Sequence, residues 1–345
     1  MNAQVGGNYM KKKNLSIKEI AKLSNVSVAT VSRVINNRSG FSKETREKVL
    51  KIIDETGYEA NNIAKSLRMS KSHSIGIIVP DIGNFFFADV VQKIEELLFE
   101  KNYATIICNT ARNSSKEKAY LKMLESKMID GLIVISGAEQ FELENINSDF
   151  PLICIDRMPK NPESTIFISS NHYQGAFEAT ELLLSKGCKN LCVALHRKIS
   201  SASQERLTGF KDALKKNNMR YNEKNNFLYL PAEKTDNKIS VIKKYLVNNP
   251  DIDGIFAVND NIALVLLDIL PQLGKNIPKD IKLIGFDNTT GAYYCKPKLS
   301  SVKQNTSKIA QRTVDSLLDI INGRREQVNK YQLEPVQLIL RESTN

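Results

Sequence analysis

Apolar residues change their spacing near residue 73, and this change divides the chain into two regions. In the first region they recur three or four residues apart, which is typical of amphipathic helices. In the second region, short apolar runs such as 74–79 alternate with helical patterns. Alternating strands and helices predict parallel sheets flanked by helices. The runs MIDGLIVIS at 128–136 and DIDGIFAVN at 251–259 echo one another, so we predict two similar α/β lobes.

Two short helices joined by a tight turn are predicted within residues 16–36. The apolar face of the first helix is formed by Ile17, Ile20, Ala21 and Leu23. Asn25 lies where the chain must reverse, and asparagine tolerates a left-handed backbone. Ser27 then has the position of an N-cap that accepts a hydrogen bond from the backbone N–H of Thr30.

A third helix completes this unit. Ser42 caps it, Gly57 is its natural end, and its apolar residues Val49, Ile52 and Ile53 can pack on the first two helices. We therefore predict an all-α headpiece over residues 14–58, with a disordered tail at 1–13.

The outer face of the second predicted helix has the composition of a DNA-reading surface. Small side chains allow close approach to the major groove, threonine and alanine methyls can contact thymine, and an arginine can reach guanine or phosphate. An ordinary helical hairpin with a solvated second helix is the alternative, because the helix-turn-helix pattern alone is weakly specific. The residues of this face are Val28, Ala29, Thr30, Ser32, Arg33 and Asn36.

Positive charge is concentrated in the same region. Residues 1–72 contain 14 Lys and Arg against 6 Asp and Glu, a net charge of +8 out of the chain's +11. The remaining residues contain 35 Lys and Arg against 32 Asp and Glu, a net charge of +3. This distribution favours a module that binds phosphate groups, although a solvated basic tail with Lys11, Lys12 and Lys13 would account for part of it.

Composition excludes several other classes of protein. The 345 residues have room for two or three domains, and no apolar run approaches the roughly 20 residues that a membrane-spanning helix needs. The N-terminus has no apolar signal core, so we expect a cytoplasmic protein. Five scattered cysteines argue against a disulfide framework, and Cys188 with Cys192 has no partner to complete a zinc site. Three histidines form no evident triad, so neither an enzyme nor a metal site is expected.

A candidate ligand site follows from the predicted sheets, because open α/β sheets bind ligands beyond the carboxyl ends of their strands. Aromatic, carboxylate, amide and guanidinium side chains occupy those positions, and this combination suits a sugar. For any one of them a structural role is the alternative: Asp156 and Arg157 could form an ion pair, and the phenylalanines could be core. The candidate effector-binding residues are Asn84, Phe86, Phe87, Asp156, Arg157, Arg206, Asn259, Asp287 and Gln304.

The run VSVATVSRVIN, then FSKETR at 41–46 and Gly57-Tyr58, resembles the LacI (lactose-repressor) family of bacterial transcription regulators. The resemblance covers the chain from about residue 14 to the last strand. It implies a hinge at 59–72 that folds as a helix on operator DNA, where Leu67 would wedge into the minor groove. Ala60 replaces the usual hinge proline, which would loosen the start of this helix; a plain linker helix is the alternative. We therefore expect DNA contacts from Ser16, Ser27, Val28, Ala29, Thr30, Ser32, Arg33, Asn36, Asn61, Ala64 and Leu67.

The resemblance also implies a two-lobed core like that of periplasmic binding proteins, at residues 73–345, which binds the effector and dimerises. The first lobe is expected at about 73–170 plus 303–330, and the second at about 171–302 plus 331–345. The nine candidate effector residues resemble the pocket of ribose-binding protein and ribose repressors. No cofactor is implied beyond a ribose-like sugar effector.

The expected function is a cytoplasmic, nucleoid-associated homodimeric repressor that binds double-stranded operator DNA under control of a sugar. The chain has no leucine-heptad tail of the kind that makes the lactose repressor a tetramer. One alternative is a catabolite-control regulator, with a phosphorylated carrier protein docked near Phe87–Leu97. That subgroup's arginine and glycine are replaced here by Gln92 and Lys93. A sugar-binding or transport protein that does not bind DNA is the other alternative.

Overall fold

The computed structural model describes residues 15–35, 38–58, 71–137, 150–160, 165–197, 200–231 and 235–345. The chain divides into two compact units, one within residues 1–72 and the other spanning 73–345. The expected tail at 1–13 and most of the expected hinge, including Asn61, Ala64 and Leu67, lie outside the described residues.

The first unit contains the three predicted helices, α1 (Ile17–Ser24), α2 (Val28–Ile35) and α3 (Lys43–Thr56). Asn25 and Gly57 end α1 and α3 in the left-handed conformation, with φ of 50° and 59°. The small core is formed by Ile20, Ala21, Val31, Val34 and Val49. Leu23 was expected on the apolar face of α1, but it lies on the solvent side and is 54% exposed.

The second unit begins with an entirely parallel sheet, whose strand order is β11-β5-β4-β3-β1-β2. Helices α4 and α12 pack against each other over one buried cluster, and α5 covers a second cluster. The strands are β1 (Ser74–Val79), β2 (Ala104–Asn109), β3 (Gly131–Ile135), β4 (Leu152–Ile155), β5 (Ile166–Ser170) and β11 (Tyr331–Glu334). The helices are α4 (Phe85–Glu100), α5 (Ser114–Ser126) and α12 (Thr306–Ile321).

The second sheet repeats this arrangement in the order β7-β6-β8-β9-β10-β12, and only β12 runs antiparallel. Its strands are β6 (Leu191–His196), β7 (Phe227–Leu230), β8 (Gly254–Ala257), β9 (Lys282–Asp287), β10 (Ser300–Lys303) and β12 (Gln337–Ile339). Its helices are α6 (His172–Ser185), α7 (Ser201–Lys216), α8 (Glu223–Asn226), α9 (Thr235–Asn248), α10 (Asp260–Gln272) and α11 (Thr290–Tyr294). Short 3₁₀ turns lie at Arg325–Gln327 and Glu342–Thr344. The predicted architecture of two α/β lobes is therefore confirmed.

Counted over the described strands, the chain passes between the two sheets three times: after β5, after β10 and after β11. The expected assignment of 331–345 to the second lobe was wrong for β11, which pairs in parallel with β5 of the first sheet. The apolar pattern of Gln332–Arg341 taken alone predicts one final strand. Pro335 instead separates β11 from β12, because proline has no N–H to donate to a strand ladder.

Among the described residues, no helix is both long enough and apolar enough to cross a membrane. The same residues contain no group of three or more His, Cys, Asp or Glu side chains that could hold a metal ion.

Candidate nucleic-acid interface and ligand pocket

Side-chain caps fix both helices of the helix-turn-helix. Ser16 caps α1 in a reciprocal capping box: its hydroxyl accepts from the backbone N–H of Glu19, and the Glu19 carboxylate accepts from the backbone N–H of Ser16. Ser27 accepts a hydrogen bond from the backbone N–H of Thr30 at 3.1 Å, as predicted. The start of α2 is thus fixed by the sequence itself.

The exposed face of α2 carries the residues that were expected to contact DNA. Val31 and Val34 are buried in the headpiece core, and this turns Val28, Ala29 and Arg33 toward solvent. Thr30 and Ser32 are half-buried at the edge of that face. Asn36 lies outside the described residues.

Arg33 extends toward the loop that follows α2. A Cβ atom placed on Gly40 would lie 3.2 Å from the guanidinium Nη1 of Arg33, and Gly40 has a φ of +108°. Glycine therefore serves two purposes at this position: it adopts a backbone conformation that other residues avoid, and it leaves room for the arginine.

A cavity with about 580 Å³ of empty volume, its opening included, lies beyond the carboxyl ends of the strands in both lobes. Seven of the nine candidate effector residues line it: Asn84, Phe86, Phe87, Asp156, Arg206, Asn259 and Asp287.

Two asparagines, one in each lobe, follow a strand and cap the next helix. Asn84 caps α4, and its side-chain oxygen accepts from the backbone N–H of Phe86 at 3.0 Å. Asn259 caps α10 in the same way, with Ile262 as donor at 2.9 Å. Neither side-chain NH₂ group has a hydrogen-bond partner within the described part of the chain. Both residues line the cavity, so these amides can donate to a ligand there.

A buried chain of polar contacts joins the charged residues of the pocket. Asp156 Oδ1 accepts from Ser169 Oγ at 2.7 Å and lies 2.9 Å from His172 Nε2. On the other side of the imidazole, Nδ1 lies 3.3 Å and 3.2 Å from Nε and Nη2 of Arg206. The Arg206 guanidinium also lies 3.3 Å from Asp287 Oδ1 and 3.7 Å from the centre of the Phe286 ring.

These contacts define the protonation of His172. Its Nδ1 faces the N–H donors of a guanidinium and must accept, so Nε2 carries the proton and donates to Asp156. Burial lowers the pKa of His172, with Arg206 adding to the shift, and keeps the imidazole neutral. A neutral histidine thus bridges a carboxylate and a guanidinium.

The two pocket carboxyls have opposite pKa shifts. Burial pushes the pKa of Asp156 upward, but contacts with His172, Ser169 and Arg206 lower it below its ordinary value. Burial raises the pKa of Asp287 to about 7, against the effect of Arg206 and with a contribution from the nearby Asp260 carboxyl. One carboxyl is therefore an obligate acceptor, whereas the other can donate or accept near neutral pH.

Backbone geometry also distinguishes these two aspartates. Asp156 and Asp287 leave their strands with φ of 54° and 113°, values that non-glycine residues adopt infrequently. Such a conformation costs about 1–3 kcal/mol and is concentrated at functional sites. Here it ends the strand and directs each side chain into the pocket.

Arg157 and Gln304 do not line this cavity. Arg157 forms a bidentate ion pair with Glu117 of α5, in which Nη1 donates to Oε2 at 2.7 Å and Nη2 donates to Oε1 at 3.2 Å. Arg157 also lines the wider cleft outside the cavity. Gln304 lies behind the cavity, where its Nε2 donates to Asp287 Oδ1 at 2.7 Å.

His172 and Arg112 belong to the pocket region but were not among the candidates. His172 is the first residue of α6, directly after β5, and β5 had not been predicted, so its carboxyl end was not considered. Arg112 follows β2 and lines the cavity. The rule that selected Asn84 would also have selected Arg112.

Comparison with known proteins finds a family match in each of the two units. Residues 16–61 match the family described as bacterial regulatory proteins, lacI family, and residues 180–344 match a periplasmic binding protein-like domain. The chain is 31% identical to the HTH-type transcriptional repressor PurR of Vibrio vulnificus over 332 residues, which cover 95% of this chain and 98% of the relative. It is 32% identical to the ribose operon repressor of Halalkalibacterium halodurans over 330 residues, which cover 95% of this chain and 97% of the relative.

Solved structures show the same fold. The lac repressor dimer bound to operator and the anti-inducer ONPF superposes with a TM-score of 0.83 at 22% identity, covering 96% of this chain and 99% of that one. A LacI family regulator from Enterococcus faecium with bound ribose gives a TM-score of 0.68 at 28% identity, covering 78% and 98%. A regulator from Alkaliphilus metalliredigens complexed with D-xylulofuranose gives 0.68 at 29% identity, covering 79% and 99%. With a lacI-type headpiece, a two-lobed ligand-binding core and relatives that match along nearly their whole length, the chain belongs to the LacI family of transcription regulators.

Proposed function

We propose that this regulator is a homodimeric repressor whose affinity for operator DNA is controlled by a small sugar, with ribose or a related pentose favoured. The cavity between the lobes carries this proposal. It combines buried carboxyls, two asparagine amides, a guanidinium and two phenylalanines, and these groups suit the hydroxyls and C–H faces of a sugar.

The comparisons support the choice of a pentose. One relative that matches nearly the whole chain is a ribose operon repressor, and two similar regulators were solved with ribose and with D-xylulofuranose. Both sugars have five carbons.

DNA recognition rests on the headpiece. Each protomer of the dimer would place α2 in the major groove of one half-site, because two-fold protein symmetry is mirrored in a near-palindromic operator. Residues 59–72 would form the hinge that contacts the centre of the operator. The effector would change operator affinity by binding one arrangement of the lobes more tightly than the other.

Operator binding by the purified full-length protein tests this proposal. Fluorescence anisotropy on a fragment of its own upstream region, titrated with ribose, other pentoses, hexoses and disaccharides, should show a response to one sugar class. Asp287→Ala should abolish the response and leave DNA binding in place. Asp251→Ala is the matched control, since this aspartate is exposed at the opposite end of the β8 strand.

Two outcomes would contradict the proposal. A protein that binds no DNA even at low salt would not be a repressor of this kind. A protein that ignores all sugars, but binds DNA more tightly with a phosphorylated carrier protein, would be a catabolite-control regulator.

A further inference from the structure

The cleft outside the sugar cavity is strongly basic. Among the residues that line it, Arg112, Lys118, Lys122, Arg157, Arg197 and Lys238 are six cations, against the two carboxylates of Asp81 and Glu117. Glu117 is already paired with Arg157. An uncharged sugar uses none of this surplus of positive charge.

Three of these cations form what we call the outer cation cluster: Arg112, Arg197 and Lys238. Within the described ranges, no carboxylate pairs with any of the three. Arg197 lies over the ring of Tyr229 at 5.2 Å, which orients its guanidinium along the wall of the cleft. Their charges are therefore available to a ligand.

His196 lies close to two of the three cations, Arg112 and Lys238. Its Nδ1 lies 3.0 Å from the carbonyl oxygen of Leu230 and donates to it, so Nε2 is the free acceptor. Burial lowers the pKa of His196, and the positive charges of Arg112 and Lys238 lower it further. His196 and Arg112 also line the inner cavity, so the cluster and the sugar site are continuous.

The cluster is divided between the lobes. Arg112 follows β2 of the first sheet, whereas Arg197 follows β6 and Lys238 lies in α9, both in the second lobe. Like charges on facing walls repel, and an anion placed between them removes the repulsion. A ligand with an anionic end would therefore favour the closed arrangement of the lobes.

We propose that the effector is a phosphorylated sugar, with its ring in the inner cavity and its phosphate at the outer cation cluster. This inference rests on the proposed function and specifies the ligand class of the same site. A phosphate ester carries a charge of about −1.5 to −2 at pH 7 and offers several strong acceptor oxygens. Arginine guanidinium groups pair with such oxygens in a bidentate manner.

Isothermal titration of the full-length protein with matched pairs tests the proposal. The pairs are ribose and ribose 5-phosphate, fructose and fructose 1-phosphate, and glucose and glucose 6-phosphate. We expect at least one ester to bind ten or more times as tightly as its parent sugar, since a charge-assisted contact contributes about ten-fold or more to binding. This advantage should shrink as salt is added.

Variants of the cluster locate the phosphate. In Arg197→Gln and Lys238→Gln, the ratio of ester affinity to parent-sugar affinity should fall about ten-fold for each charge removed. Lys279→Gln is the control. It removes the same positive charge, but Lys279 is exposed and precedes β9, at the end of the strand opposite Asp287. The ratio should stay at its wild-type value in this control.

The outcomes separate this inference from the proposed function. If the parent sugar binds as tightly as its ester, the phosphate is not recognised, and the inference fails while sugar control stands. The same conclusion follows if inorganic phosphate competes with the ester but the cluster variants keep the full ratio. If no sugar binds in either form, the proposed function fails as well.

Discussion

At the scale of single residues, His172 connects the two sides of the pocket, and its replacement tests that role. Leucine at this position would leave Asp156 and Arg206 buried without their shared partner. A buried charged group without its partner costs about 1–3 kcal/mol or more, so His172→Leu should weaken effector binding at least ten-fold. Glutamine can donate through Nε2 and accept through Oε1, as the neutral imidazole does.

We therefore expect His172→Gln to recover most of the affinity lost in His172→Leu, as measured by isothermal titration. A role in packing alone would give the opposite order, because leucine is the more apolar replacement. Thermal unfolding of both variants separates a loss of affinity from a loss of fold. Equal affinities in the two variants would show that His172 does not position the pocket charges.

The raised pKa of Asp287 makes the stability of the core depend on pH. Burial raises this pKa to about 7 in the folded state, whereas an unfolded aspartate titrates near 3.9. Between these values the folded state binds the extra proton, so this group's contribution to stability is complete below about pH 4 and falls as pH rises toward 7. Asp287→Asn cannot titrate, and it loses the ion pair with Arg206 only where the wild-type carboxyl is ionised, above about pH 7.

The measurement is the melting temperature of wild type and Asp287→Asn from pH 5 to pH 8. The stability of the variant relative to wild type should increase as pH rises, and its free energy of unfolding should change relative to wild type by about a few kcal/mol at most. A difference that is constant with pH would show that Asp287 ionises at its ordinary pKa. A pKa lowered by a dominant ion pair with Arg206 would also give a constant difference over this range, because the folded and unfolded pKa values would then both lie below pH 5.

At the scale of elements, the cap of α2 links the sequence to DNA recognition. Ser27→Ala removes the acceptor for the Thr30 N–H and should destabilise the start of α2 by about 1 kcal/mol. We expect faster amide exchange at the start of α2 and weaker operator binding. Ser42→Ala is a matched control, because Ser42 caps α3 with the same 3.1 Å geometry but does not belong to the proposed reading helix. Equal losses of DNA affinity in both variants would contradict the assignment of α2.

The same elements show what the sequence can and cannot predict. Long periodic helices, the caps at Ser27 and Ser42 and the turn at Asn25 were predicted, because each depends on residues close together in the chain. The strands β5 and β7 were missed, since IFISS and FLYL are short and a strand is defined by partners far along the sequence. The pairing of Arg157 with Glu117, rather than with Asp156, likewise depends on tertiary placement.

At the scale of the whole molecule, two residues that hold the pocket carboxyls lie at the places where the chain passes between lobes. His172 follows the passage after β5, and Gln304 lies in the passage after β10. Gln304 donates to Asp287, while its own Oε1 is buried without a hydrogen-bond partner among the described residues. An unsatisfied buried acceptor costs about 1–3 kcal/mol, so an arrangement of the lobes that supplies a donor would be favoured by that amount.

Gln304→Leu should therefore weaken the coupling between effector and DNA more than it weakens effector binding. The coupling factor is measured twice, as the change in operator affinity caused by the effector and as the change in effector affinity caused by the operator. The two must agree because linkage is reciprocal, and such factors are typically about 5–150-fold. Gln311→Leu is the control, since Gln311 is exposed on α12 and its side chain donates to Asp315 of the same helix. If Gln304→Leu keeps the wild-type coupling factor, the lobes must be coupled through the other passages, after β5 and β11, because those are the remaining connections between the two sheets.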